Sequence, residues 1–141
     1  RMKLEMQEEE PEQTECEERM IDFMDDVLRQ NIFTGLEQNR YVHMMDTTAE
    51  VLYGKDPLKF TEQRYENVCL RLLEVEDFAN TEKWCRRLQE QFPDRLAAYT
   101  CRLKLYFTTK NREAFFQALG ELKKSHVVID SETLEMIRVF N

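Results

Sequence analysis

The chain is 141 residues long, 42% hydrophobic and 34% charged, with a formal net charge of −8 and only three Gly and three Pro. One domain of this length hides roughly two-thirds of its unfolded surface, enough for a core, and so few Gly and Pro argue against turn-rich sandwiches and barrels. The acidic balance also argues against wrapping a phosphate backbone, which calls for a basic face.

Residues 1–19 hold eight Glu against Arg1, Lys3 and Arg19. Residues 1–14 lack apolar periodicity and read as a disordered acidic lead, with a single helical domain over 15–141. The first helix is expected at about 15–30, with Met20, Ile21, Phe23, Met24, Val27 and Leu28 facing inward and Asp25 and Asp26 opposite. Gly35 is its expected stop. The second helix, about 36–53, carries Tyr41, Met45, Thr48, Ala49 and Leu52 on one side; Gly54 is its expected C-terminal cap, with Pro57 beyond. Thr61 is the expected N-cap of a third helix, 62–74, whose Tyr65, Val68, Cys69 and Leu72 fall at i, i+3, i+4, i+7. Asp77 caps a fourth, 78–91, carrying Phe78, Thr81, Trp84, Cys85 and Leu88, and Pro93 closes it. A fifth, about 95–108, presents Leu96, Tyr99, Leu103 and Tyr106. Asn111 caps the sixth, with Phe115, Phe116, Ala118, Leu119 and Leu122. The β-prone Val127-Val128-Ile129 reads as an extended connector. Asp130 or Ser131 opens a seventh helix with Leu134, Ile137 and Phe140, and Ile129 with Leu134 matches a hydrophobic staple. Seven helices and no strand are expected.

Residue types that carry chemistry are scattered. The four cysteines include no Cys-x-x-Cys pair; Cys69, Cys85 and Cys101 fall 16 residues apart inside helical patterns and read as small buried thiols in helix contacts. His43 and His126 are 83 residues apart, outside any metal-binding spacing. Gly35, Gly54 and Gly120 cannot build a phosphate loop, and neither Ser125 nor Ser131 sits in a nucleophile elbow. Carboxylate pairs such as Asp25-Asp26 arise by chance among 28 acids. No enzyme activity, cofactor or metal is expected. No apolar run approaches the ~18 residues of a membrane span, and no signal-peptide pattern opens the chain, so reduced thiols and a cytoplasmic location are expected. The start at Arg1 reads as a piece of a longer protein.

An internal period organises helices three to six: Tyr65 is followed 34 residues later by Tyr99, and Leu72 by Tyr106. Residues 62–95 resemble a tetratricopeptide repeat through Tyr65, Val68, Cys69 and Leu72 in the first helix and Phe78, Thr81, Cys85, Leu88 and Pro93 in the second. Residues 96–129 match through Leu96, Tyr99, Leu103, Tyr106, Phe115 and Leu119. Here the turn looks one residue short, and Lys110 stands where the motif usually has Gly. Residues 36–60 resemble a degenerate earlier unit, against which Pro57 and Lys59 count, and the last helix a capping element.

The resemblance implies an all-α stack of helical hairpins (a tetratricopeptide-like α-solenoid) whose concave side takes a peptide or partner helix, without catalysis. The implied groove positions are Gln63, Glu66, Leu70, Leu73, Ala97, Thr100, Lys104 and Phe107. Leu70, Leu73 and Phe107 would anchor the partner and Lys104 would read an acidic group on it. Packing against the adjacent hairpin is the alternative for the three apolar residues. The order of elements is also similar to the bacterial transcriptional activator domain, with Ile129-Asp130-Ser131-Glu132 resembling its entry into the last helix. That likeness implies a regulatory, self-associating module, and a further reading is the cytoplasmic domain of a membrane-anchored protein. A homo-oligomer is compatible with each.

Overall fold

The structure, a computed structural model, describes the backbone of residues 2–140 and the side chains of residues 14–140. Seven α-helices follow one another: α1 (Met2–Arg29), α2 (Gly35–Lys55), α3 (Glu62–Glu74), α4 (Phe78–Gln91), α5 (Leu96–Thr108), α6 (Arg112–Lys124) and α7 (Ser131–Phe140), with a 3-10 turn at Pro57–Lys59. No strand occurs among the described residues. α1 takes in the segment read as a disordered lead; its Met, Leu, Gln and Glu are good helix formers, which outweighs the missing apolar period for the backbone.

Each hairpin closes by local chemistry. The Thr61 hydroxyl accepts from Arg64 N at 3.0 Å, Asp77 from Asn80 N at 3.4 Å, Asn111 from Ala114 N at 3.2 Å and Asp130 from Thr133 N at 3.0 Å. Each satisfies an amide that a helix start leaves orphaned. At the opposite ends the chain turns through a residue with positive φ: Asn31 after α1, Glu76 after α3, Lys110 after α5 and His126 after α6. The turns α3–α4 and α5–α6 are the same length, and their αL residues lie 34 apart, so the second is not short. In both, the next amide reaches back to close the helix, Asp77 N to Leu72 O at 3.0 Å and Asn111 N to Tyr106 O at 2.9 Å. Two glycine expectations are corrected. α1 ends at Arg29 and the chain turns at Asn31, ahead of Gly35, and α2 runs through Gly54 to Lys55, because Asp56 N still bonds to Leu52 O at 2.8 Å.

A non-glycine residue in the αL well is strained by its Cβ. Lys110→Gly is therefore expected to stabilise the fold by about 0.5–1 kcal/mol after the unfolded-state entropy of Gly is deducted, read as a raised melting temperature. An unchanged or lowered value would show that the Lys110 side chain holds the turn by another means.

The hairpins stack: α1 packs on α2, α3 on α4 and α5 on α6, while α3 also touches α1 and α5, and α5 touches α7. The first hairpin is thus α1–α2, not a unit over 36–60, and α7 takes the place of a further first helix beside α5. One continuous core results, from Ile21, Met24 and Leu28 through Tyr65, Trp84 and Leu103 to Phe115 and Leu122. Its centre is aromatic. Phe60 stacks on Tyr65 at 4.6 Å between centroids, and Trp84 lies 5.2 Å from Phe60 and 5.9 Å from Tyr53. Beside this cluster the Trp84 indole donates to Asp46 Oδ1 at 2.6 Å, tying α4 to α2. The Arg87 guanidinium lies over Tyr53 and also donates to Glu50, adding a second tie between the same helices.

Candidate functional site

The side of the stack built by α1, α3, α5 and α7 is where the sequence placed a groove, and the structure divides the expected residues. Gln63 is exposed; Glu66, Leu70 and Leu73 are half-buried on α3. Leu70 and Leu73 stand one helical turn apart, outside the buried cluster. Ala97 and Thr100 are buried, and the Thr100 hydroxyl donates to the Ala97 carbonyl at 3.4 Å, so neither faces a partner. Both belong to α5, which packs against α3 and α4.

Phe107 and Lys104 are covered from within the chain. Phe107 meets Phe140 of α7 edge-on at 5.4 Å, and Phe140 in turn packs on Phe115 at 4.8 Å. The Lys104 ammonium lies 3.3 Å from Glu132 of α7. Arg112 clasps the end of α7 by donating to the Phe140 carbonyl at 2.5 Å. The last helix therefore occupies the ground that Phe107 and Lys104 would have offered a partner. Within α7, Thr133, Met136, Ile137 and Phe140 turn inward, while Leu134, expected on that face, is exposed.

On the other flank of α3 lies a polar network that the sequence did not reveal. Asp25, expected on the outer face of α1, is only 3% exposed. Its carboxylate accepts from Arg29 Nε at 2.7 Å and lies 3.6 Å from Arg71 Nε of α3. Arg29 also donates to Asn67 Oδ1 at 2.7 Å, which accepts from Gln63 at 2.9 Å, and Arg71 reaches Glu74 at 3.4 Å. Farther along, Arg64 grips Asp22 with two bonds of 3.0 and 2.8 Å. Burial raises the Asp25 carboxyl above its ordinary value, and the Arg29 and Arg71 charges offset this only in part. Asp25, Asn67 and Gln63 line a cleft of ≈ 230 Å³ between α1 and α3. Asp46 is buried likewise, beneath Trp84 and Lys83. The available signal was position: Asp25 adjoins Ile21, Met24 and Leu28, and Asp46 falls among Val42, Met45 and Ala49, on the stripes that form the core.

The ends of the stack are less covered than the sequence suggests. Met20 and Phe23, expected inside α1, are exposed, Phe23 by 67%, because Ile21, Met24 and Leu28 already fill the seam with α2 and α3. Met44 and Val51 are exposed on α2, and Leu134 and Val139 on α7. Among the described residues no group of His, Cys, Asp and Glu has the geometry to hold a metal ion, and no helix is long and apolar enough to cross a membrane. Comparison with protein-family models, with curated proteins and with solved structures returns no match to this chain.

Proposed function

We propose that this chain is a non-catalytic protein-interaction module of tetratricopeptide-like type that takes an extended or helical segment of another protein against α3. The observation that carries the reading is the pair Leu70 and Leu73. These two leucines are only partly buried on a helix whose Tyr65, Val68, Cys69 and Leu72 are fully buried, and such a pair matches the i, i+3 anchors by which amphipathic segments dock. Gln63 and Glu66 supply the polar rim. Since Glu132 holds Lys104 and α7 holds Phe107, the partner engages α3 and its α1 flank, and the acidic overall charge favours a protein over a nucleic acid. Helix pairs whose starts recur 34 residues apart, Glu62 and Leu96, then Phe78 and Arg112, support the family likeness.

A photo-crosslinking side chain at position 70, used in cells, is expected to capture one dominant protein. A companion at the exposed Arg86 of α4 should capture none, and Leu73→Asp should abolish capture while the fold persists. Equal labelling from both positions would overturn the groove.

A second reading, a regulatory module that self-associates through its end helices, is favoured by the exposed Met20 and Phe23 of α1 and Leu134 and Val139 of α7. It predicts a concentration-dependent oligomer in sedimentation that Phe23→Asp disperses. A monomer at all concentrations would eliminate it.

A further inference from the structure

The α1–α2 hairpin is the terminal layer of the stack, and its outer side is apolar. α1 meets α3 through Asp22, Asp25 and Arg29, which pair with Arg64, Arg71 and Asn67. At about 100° of turn per residue, Cys16, Met20, Phe23 and Val27 fall on the opposite side of the same helix, at steps of four, three and four. Phe23 is 67% exposed and Met20 41%; Cys16 is exposed and Val27 half-buried. α2 of the same hairpin exposes Met44 and Val51. A terminal unit of a stacked-repeat protein needs a polar outer face when nothing covers it, and this one carries an apolar seam.

The seam is shaped for a copy of itself. Its spacing puts Cys16 and Phe23 at one of the two core positions of a heptad and Met20 and Val27 at the other. Cys16, Arg19, Met20 and Phe23 stand at i, i+3, i+4 and i+7, the four corners of a hole that receives a knob in a coiled coil. With Glu15 they line a hollow of ≈ 530 Å³ on α1. In an antiparallel pair whose two-fold axis passes between residues 21 and 22, Phe23 of each chain enters the hollow of the other. Met20 then faces Phe23, and Cys16 faces Val27. Arg19 and the exposed Asp26 flank the seam on one side, and across this axis they meet as cation and carboxylate, twice per dimer. Arg19 already lies 2.6 Å from Glu15 of its own chain, so it would stand between two carboxylates. A parallel pair leaves both flanking charges unmatched.

We infer that two copies of this chain associate head to head, α1 antiparallel to α1, with Phe23 of each seated among Cys16, Arg19, Met20 and Phe23 of the other. The inference rests on the self-association reading above and gives it a surface, a register and a limit of two copies. A two-fold contact uses both seams and closes, whereas a contact of the α1 end with the α7 end would repeat into open arrays.

The test is sedimentation of the full chain in reducing buffer, which keeps the exposed Cys16 from cross-linking copies. The wild type should reach twice the chain mass as concentration rises and stop there. Phe23→Asp should sediment as a monomer with its far-UV helicity retained. Arg19→Asp turns two exposed pairs from attraction to repulsion and should raise the dissociation constant about tenfold. The Arg19→Asp/Asp26→Arg chain rebuilds both pairs with their signs exchanged and should return close to the wild-type value. A monomer at every concentration would overturn this inference together with the self-association reading. A dimer that survives Phe23→Asp would overturn the inference alone, since self-association would then use another surface. Failure of the double reversal to rescue Arg19→Asp would overturn the antiparallel register, and growth past two copies would overturn the closed arrangement.

Discussion

Trp84→Ala is expected to be the most damaging single substitution in this chain, lowering stability by about 3–5 kcal/mol. The indole is fully buried between Phe60, Tyr65 and Tyr53, and its removal leaves a hole at the crossing of α2, α3 and α4. It also withdraws the N–H that Asp46 accepts at 2.6 Å, so a buried carboxylate keeps only Lys83, at 3.4 Å. Trp84→Phe separates the two contributions: most of the ring packing remains, but the bond to a charged acceptor is lost, for about 2 kcal/mol. Melting followed by far-UV circular dichroism should give the order wild type, Trp84→Phe, Trp84→Ala, the last displaced on the order of 10 °C. A Phe variant as stable as the wild type would mean that the Asp46 bond contributes nothing.

The second large effect is expected at Arg71, which is buried beside Asp25. Arg71→Leu removes one of two cations from a buried carboxylate, and breaking such a pair costs about 3 kcal/mol when a second partner, here Arg29, remains. The pH dependence gives this its signature. Asp25 binds its proton more tightly folded than unfolded, so it favours the folded state below the unfolded value near 3.8 and loses that contribution as pH rises through the folded value. Without Arg71 the folded value climbs further. The variant should therefore lie close to the wild type in acid and fall away from it towards neutral pH. Asp25→Asn in the same chain should flatten that trend and recover part of the loss, measured as urea midpoints across pH. A deficit that is equal in acid and at neutral pH would show that Arg71 acts by packing alone.

The residues that settle local structure could be read directly. Thr61, Asp77 and Asn111 cap the helices they were expected to cap, and Asp130, one of the two residues expected to open the last helix, caps it, since a side-chain oxygen three residues before an amide needs nothing from the rest of the fold. The bounds of α3 and α4 fall where apolar periodicity put them. The errors lie where a neighbour decides. Gly54 resembled a cap, but Asp56 could extend the helix by one more bond. Phe23 resembled core, but Ile21, Met24 and Leu28 had filled the seam. Phe107 was an anchor in the expected groove until α7 was laid across it. Periodicity assigns residues to a face; it does not say which of two apolar faces will find a partner helix, nor whether a carboxylate between them will be sealed in.

The sequence by itself determined an all-α chain of seven helices and a 34-residue repeat, because capping, turn chemistry and apolar spacing act over only a few residues. Tertiary structure alone decided that Asp25 and Asp46 are buried with their cations, that α7 covers Phe107 and Lys104, and that Phe23 is left outside the core. Those outcomes depend on the distance between helices remote in the chain, and that distance is set by packing of the whole stack.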